Sequence, residues 1–338
     1  MRVAVDAMGG DYGPSVTVEG ALGAARDFGL EVLLVGEREV IDKEIRRLGG
    51  SGPGVLVVDA PEAIGMGEGL FASRRKKMSS IRIGTQLVKS GQADAFVSIG
   101  NTAAVVAISQ KTLGPLHGVE RPALALLVPT PAGPSLLIDV GANANCRPRH
   151  LEQFALMGRI FMESVLARRE PRIGLMSIGE ERGKGNDLTR AAYELLARAP
   201  LNFIGNVEGK DIYSGKADVI VSDGFTGNVA LKASEGLIES MLAMARREVT
   251  RDFLARVGLF LMRRHLKRLY RKLDYAQYGG AHLLGLNGVC IIGHGRSSPT
   301  AVRNAVRLAR EYVRNRVTDK IRSEIGSLAR AAERAGVS

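Results

Sequence analysis

One lysine, one asparagine and one run of cations have the types and spacing to act on an anion. Lys184 lies in Gly179-Glu180-Glu181-Arg182-Gly183-Lys184-Gly185-Asn186, with glycine on both sides. A lysine in a glycine-rich loop can reach a phosphate while the nearby backbone N–H groups also donate. The same position also suits an ordinary surface lysine. Asn228 follows Gly224-Phe225-Thr226-Gly227. Its carboxamide could hold a carbonyl oxygen or a developing oxyanion, or it could cap a helix. Arg74-Arg75-Lys76-Lys77 precedes Met78-Ser79-Ser80. Four adjacent cations make either a dock for an acidic partner or a solvated loop.

Other chemistries lack their signatures. There is no G-x-S-x-G elbow, no P-loop and no G-x-G-x-x-G after a strand-like run. The five histidines (His117, His150, His265, His282, His294) and the two cysteines (Cys146, Cys290) are scattered, with neither H-E-x-x-H nor C-x-x-C spacing. Both thiols read as inert rather than catalytic. No metal and no cofactor are expected.

These residues must be positioned by a scaffold, and the chain repeats one event. A short apolar run ends in Gly, Asp or Asn, and a helical pattern follows. Val3-Ala4-Val5 runs into Asp6-Ala7-Met8-Gly9-Gly10-Asp11, and Phe96-Val97-Ser98-Ile99 into Gly100-Asn101-Thr102. Leu136-Leu137-Ile138 runs into Asp139-Val140-Gly141-Ala142-Asn143, and Val219-Ile220-Val221 into Ser222-Asp223-Gly224. Continuous apolar runs suit strands buried on both faces. Helical patterns over 15–28, 151–167 and 188–199 separate them. The alternation predicts an α/β fold: three layers, α/β/α, around a largely parallel sheet. Ligands of such sheets bind beyond the strand carboxyl ends. The glycine corners are those ends and, converging, would form an anion pocket. Taken singly, each corner equally suits a strand-to-helix turn.

Composition is consistent with a folded domain. The 338 residues are 45% hydrophobic and 24% charged, too apolar for a disordered chain. Two cysteines cannot build a disulfide framework. Asp6 interrupts any signal-peptide pattern, and no stretch of ~20 residues could span a bilayer. A cytoplasmic location is expected.

Net charge is +12, and residues 246–272 alone carry ten cations against two acids, a local +8. Phe253, Leu254, Val257, Phe260 and Leu261 recur there at helical spacing, with Arg263, Arg264, Lys267 and Arg268 on the next turns. The 246–275 segment thus reads as a protruding basic amphipathic helix or helix pair. It could meet a membrane surface or partner, or bury its apolar face in a dimer. Nucleic-acid binding is disfavoured, because few aromatics interleave the cations and no named module is matched.

Eight blocks, in order, carry a resemblance. They are Val5-Asp6-Ala7-Met8-Gly9-Gly10-Asp11, the 74–80 run, Ser98-Ile99-Gly100-Asn101-Thr102, Asp139-Val140-Gly141-Ala142-Asn143, Lys184-Gly185-Asn186, Gly205-Asn206-Val207-Glu208-Gly209, Asp223-Gly224-Phe225-Thr226-Gly227-Asn228 and Tyr278-Gly279-Gly280-Ala281. Together they resemble the phosphate acyltransferase family, the acyl-[acyl-carrier-protein]:phosphate acyltransferases. The likeness spans residues 1–311. Tyr12, Ala103 and His282 stand where the family more often has His, Gly and Pro.

The resemblance implies a fold like isopropylmalate dehydrogenase and phosphate acetyltransferase, as one unit over 1–338 with two lobes sharing one sheet system. It implies transfer of a long-chain acyl group from acyl carrier protein to inorganic phosphate. The product, acyl phosphate, feeds a membrane glycerol-3-phosphate acyltransferase in phospholipid synthesis. It implies Lys184 and Asn228 as catalytic residues, with Asp6, Gly9, Gly10, Asn101, Thr102, Asp139, Asn143 and Asp223 lining the pocket. Arg74, Arg75, Lys76, Lys77, Arg263, Arg264, Lys267 and Arg268 would dock the carrier or membrane, with Leu254, Val257 and Leu261 facing the lipid. A homodimer peripherally attached to the inner face of the cell membrane is expected. The rival reading is a phosphate acetyltransferase-like enzyme acting on coenzyme A thioesters. The tail over 314–338, beyond the matched blocks, reads as a solvated helix.

Overall fold

A computed structural model describes residues 1–251, 258–265 and 279–334. The apolar runs become strands: β1 (Arg2–Asp6), β2 (Glu31–Gly36), β3 (Val55–Asp59), β4 (Ala95–Ser98), β5 (Ala123–Val128), β6 (Ser135–Ile138), β7 (Ile173–Met176), β8 (Phe203–Val207), β9 (Val219–Val221), β10 (Ala281–Leu284) and β11 (Val289–Ile292). Between them lie helices α1 (Pro14–Phe28), α2 (Arg38–Arg47), α3 (Leu70–Arg75), α4 (Ser80–Lys89), α5 (Thr102–Leu113), α6 (Pro148–Val165), α7 (Asp187–Arg198) and α8 (Gly224–Arg251). Residues 258–265 are helical (α9), and α10 (Pro299–Arg314) and α11 (Val317–Arg334) follow.

All eleven strands join one sheet in the order β3-β2-β1-β4-β11-β10-β5-β6-β9-β7-β8. Alternate side chains divide two cores. Val3, Val5, Val32 and Leu34 face one side with residues of α1, α6, α7, α10 and α11. Ala4, Leu33, Phe96 and Leu137 face the other with residues of α4, α5 and α8. The architecture is therefore α/β/α in three layers, as expected.

Strand direction departs from the simplest expectation. β2, β1, β4 and β11 run parallel. β10 pairs antiparallel with both β11 and β5, and β5 antiparallel with β6. β9 and β7 then run parallel with β6. The corners after β1, β4 and β11 thus lie on one edge of the sheet, and those after β6, β7 and β9 on the opposite edge. They form two clusters.

Helix α8 links the clusters. Its first residue donates from the Gly224 N–H to the Asn143 carbonyl at 2.8 Å. Four turns on, Glu239 pairs with Arg296, just past the end of β11, at 2.8 Å. With 28 residues it is about 42 Å long, so it crosses the sheet face and projects beyond it.

The tail is not simply solvated. Val317, Ile321 and Ile325, spaced four apart on α11, are buried in the first core. That stripe is what lets a polar tail dock.

Candidate active site

In the first cluster, Asp6 is buried at the end of β1 and accepts from Ser98 Oγ (2.7 Å) and the Met8 N–H (3.1 Å). Ser98 Oγ in turn accepts from the Gly100 N–H at 3.0 Å. Burial pushes the Asp6 carboxyl above its ordinary range, opposed by those hydrogen bonds. A β-carbon on Gly9 would meet the Gly100 nitrogen at 2.7 Å, so this close approach requires glycine. Gly10 lies at φ +87° against Ile99. Asn101 caps α5, accepting from the Ala104 N–H at 3.0 Å. Its Nδ2 donates to the carbonyls of Met66 (2.9 Å) and Glu68 (3.0 Å). Asp6 and Asn101 therefore hold the corners in place.

In the second cluster, Asp139 is buried after β6. It accepts from the N–H groups of Leu124, Gly141, Ala142 and Asn143 and from Asn143 Nδ2, all at 2.8–3.1 Å. Asn143 Nδ2 also donates to the Pro122 carbonyl at 2.7 Å. Burial pushes the Asp139 carboxyl up as well, against these donors. Both side chains shape the 139–143 loop. Asp223 caps α8, accepting from the Phe225 and Thr226 N–H groups (3.0 and 2.9 Å) and from Thr226 Oγ1 (2.7 Å).

The cap being Asp223, Asn228 is not one. It stands one turn inside α8, exposed, with Nδ2 donating to the Val140 carbonyl at 3.0 Å. Lys184 is exposed on its loop, and among the described residues its ammonium has no carboxylate partner. The loop itself is tied down: Ser177 Oγ donates to the Lys184 carbonyl (3.2 Å) and Asn206 Nδ2 to that of Glu181 (3.0 Å).

Two cavities flank the first turns of α8. One, of about 550 Å³, is lined by Ser177, Gly185, Asn186, Asp223, Thr226 and Val229. It joins the Lys184 loop to the Asp223 turn. The other, of about 230 Å³, lies under α8 and brings Thr102 of the first cluster to Val140 and Asn228 of the second. Asn228 and the Lys184 loop thus border different cavities, both lined by residues of the first turns of α8. A larger space of about 990 Å³, beside the 48–54 turn at the amino ends of β2 and β3, holds none of the candidate residues.

His294, Ser297 and Lys232 on the 230 Å³ cavity did not emerge from the sequence as site residues. The signal was Gly293-His294-Gly295 directly after the apolar run Val289-Cys290-Ile291-Ile292, another strand ending in a glycine corner.

Neither thiol is poised to react. Burial pushes Cys146 up to about 11 and Cys290 to about 12, with Ser109 Oγ 3.3 Å from the latter. Since the thiolate is the nucleophile, both are essentially unreactive at neutral pH. Among the described residues no group of three or more His, Cys, Asp or Glu could hold a metal.

In the basic run, the Lys76 ammonium donates to the Ala63 carbonyl and pairs with Glu68 at 2.7 Å. Arg74, Arg75 and Lys77 are exposed. Leu261, Arg263 and Arg264 lie exposed on α9, while Leu254, Val257, Lys267 and Arg268 fall outside the described residues. Among the described residues no helix is long and apolar enough to cross a membrane.

A family profile described as "Fatty acid synthesis protein" matches residues 1–320. The chain is 47% identical over 329 residues to a phosphate acyltransferase of Pelotomaculum thermopropionicum, covering 97% of this chain and 96% of that one. It is 49% identical over 321 residues to one of Nitratidesulfovibrio vulgaris, covering 94% and 93%. The chain belongs to the phosphate acyltransferase family. It is therefore an enzyme of fatty acid and lipid synthesis. A phosphotransacetylase from Streptococcus pyogenes shares the fold of this phosphate acyltransferase family member, with TM-score 0.63 and 16% identity over 93% of this chain and 94% of that one. A branched-chain phosphotransacylase from Enterococcus faecalis does too, at 0.54 and 15% over 93% and 99%.

Proposed function

We propose that this enzyme moves a long-chain acyl group from the thioester of acyl carrier protein to inorganic phosphate, releasing acyl phosphate and the free carrier. A phosphate oxygen attacks the thioester carbonyl carbon. The new C–O bond forms, the C–S bond breaks through a tetrahedral oxyanion, and the leaving thiolate takes a proton from solvent. Phosphate is already nucleophilic at neutral pH, so no side chain is acylated. The work of the protein is to align two reactants and stabilise an oxyanion.

The observation that carries this reading is the pair of uncommitted polar groups beside α8. Lys184 offers an ammonium with no carboxylate partner among the described residues, suited to phosphate. Asn228 keeps one amide N–H beyond its bond to Val140, suited to the carbonyl oxygen. The inert thiols are in keeping with direct attack. An acidic carrier would be drawn to Arg74, Arg75 and Lys77, and a phospholipid surface or a second copy of the chain to the apolar residues of α8 and α9. Peripheral membrane attachment and a homodimer belong to this reading, as does delivery of the product to a membrane acyltransferase.

The experiment is a transacylation assay with palmitoyl-carrier and phosphate, trapping acyl phosphate as its hydroxamate. Product with the carrier thioester and little with acetyl-coenzyme A supports the proposal; the reverse supports the coenzyme A reading, which the shared fold with phosphotransacetylases keeps in view. A fatty chain trapped on the polypeptide during turnover would rule out direct attack.

A further inference from the structure

The 230 Å³ cavity under α8 has a composition of its own. Its walls are Leu124 and Leu126 of β5, Val140, Leu231 of α8, Ala281 of β10 and Ile292 of β11. These belong to the sheet face that α5 and α8 cover from either side, leaving a slot between them. Polar groups also line it: the exposed Thr102 and Asn228, the part-buried His294 and the buried Ser297. The rim cation Lys232 is paired with Glu235 at 2.7 Å. At His294 the Arg296 N–H donates to Nδ1 (3.1 Å), which leaves the ring proton on Nε2 and the imidazole neutral. The slot thus presents a mostly apolar lining with Lys232 balanced by Glu235. The Lys184 loop, in contrast, borders the 550 Å³ cavity.

We propose that this slot receives the apolar chain of the acyl substrate beside the reacting bond, and that Ala281, Leu126 and Leu231 determine how well it fits. The inference rests on the acyl-transfer reading above. In this arrangement the thioester carbonyl lies at the rim, within reach of the Asn228 carboxamide, and the methylenes next to it enter the slot. The phosphate approaches from the Lys184 side. An apolar slot discriminates for methylenes, since each buried CH₂ contributes ~0.8 kcal/mol. At about 230 Å³ it is smaller than the ~300–1,000 Å³ usual for enclosing a whole ligand. It takes the proximal part of a long chain, and the remainder leaves past α8.

The test begins with the wild type, palmitoyl-carrier and phosphate. Absence of acyl phosphate there defeats the parent reading and leaves the slot unjudged by kinetics, so binding of palmitic acid to the same protein by calorimetry is measured alongside. Ala281→Leu fills the slot from the sheet side. The expected result for Ala281→Leu is a loss of at least about tenfold in kcat/KM for palmitoyl-carrier and in palmitate affinity. KM for phosphate should stay within about twofold of wild type. Leu231→Phe fills the same space from α8 and should reproduce the loss if Ala281→Leu does not fold. Unchanged palmitate binding and kcat/KM in a folded filled variant would overturn the proposal, as would an equal rise in KM for phosphate.

Discussion

Asn228 donates from Nδ2 to the carbonyl of Val140 at 3.0 Å, and the same nitrogen lies where a β-carbon on Gly141 would come within 2.9 Å. Gly141 sits at φ +139°, a conformation that side chains rarely adopt. The carboxamide is thereby locked over the turn after β6, with one N–H directed away from the protein carbonyl.

That lock makes Asn228→Asp the sharpest probe of the amide. A carboxylate there cannot donate, and it faces the Val140 carbonyl oxygen at hydrogen-bond distance. Removing one oxyanion donor costs roughly 10²–10³ in kcat, and Asn228→Asp should reach that range with KM for phosphate little changed. Because the side chain is exposed, the melting temperature should move by only a few degrees. A variant with near-normal kcat would remove Asn228 from the chemistry.

Lys184→Ala should act on the other substrate. The ammonium is exposed and makes no ion pair among the described residues, so its loss should alter stability by less than about 0.5 kcal/mol. kcat/KM for phosphate should fall at least about 100-fold, because an oriented cation is lost from the nucleophile. Lys184→Arg keeps the charge but changes the shape of the donor, and should recover only part of the rate. Full activity in a Lys184→Ala protein with a normal melting curve would show that the lysine is only a surface residue.

The strands with corners, such as β1, β6 and β9, were legible because a buried parallel strand must be a short apolar run and its exit must be Gly or Asx. The two-cluster arrangement was not legible. It depends on β5, β10 and β11, which reverse the sheet through the 129–134 loop and the short 285–288 turn. Pairing direction is a non-local property, and an antiparallel neighbour leaves no mark on an apolar run. Asp139, Asn143 and Asp223 were found by type, but their carboxylates and amide are engaged by backbone N–H and C=O groups. Asx residues at corners serve backbone geometry as readily as ligands. Residues 246–275 illustrate the reverse: the basic amphipathic pattern is plain in the sequence, while 252–257 and 266–278 fall outside the described residues.

His282 gives a prediction about pH. It is fully buried in β10, stacked on Tyr312 (5.2 Å between centroids) and edge-on to Phe161 (4.9 Å). Its Nε2 has no hydrogen-bond partner among the described residues. Burial alone pushes its pKa down from 6.5 to about 3. The unfolded chain therefore binds this proton first as pH falls. The contribution to stability is complete above pH 6.5 and is lost progressively down to about pH 3, at ~1.4 kcal/mol per pH unit. The raised carboxyls of Asp6 and Asp139 work in the opposite sense, so the comparison must be with a variant. Urea unfolding at pH 7.5 and pH 5 should show His282→Phe losing less stability than wild type over that interval. Equal losses would mean that the ring is protonated in the folded protein.

The last prediction concerns the exposed apolar surface. On α8, Leu237, Met241 and Met244 are more than 60% exposed, and on α9 Phe260 and Leu261 are 61% and 72% exposed. Arg263 lies over the Phe260 ring at 4.5 Å, so cations and apolar groups share one small surface on α9. Such a surface suits the boundary of an anionic bilayer, where buried rings and ~1 kcal/mol per cation combine. Phe260→Glu with Leu261→Glu should lower partitioning onto phosphatidylglycerol vesicles at least about tenfold, since it replaces burial by like-charge repulsion. Activity on a soluble acyl-carrier substrate should be unaffected, because neither residue borders the two cavities beside α8. Arg263→Ala with Arg264→Ala should weaken binding mainly at low salt, where the surface potential is least screened. If the Glu variants bind vesicles normally but sediment as monomers where the wild type is a dimer, the apolar face of α9 meets a second copy of the chain and not lipid.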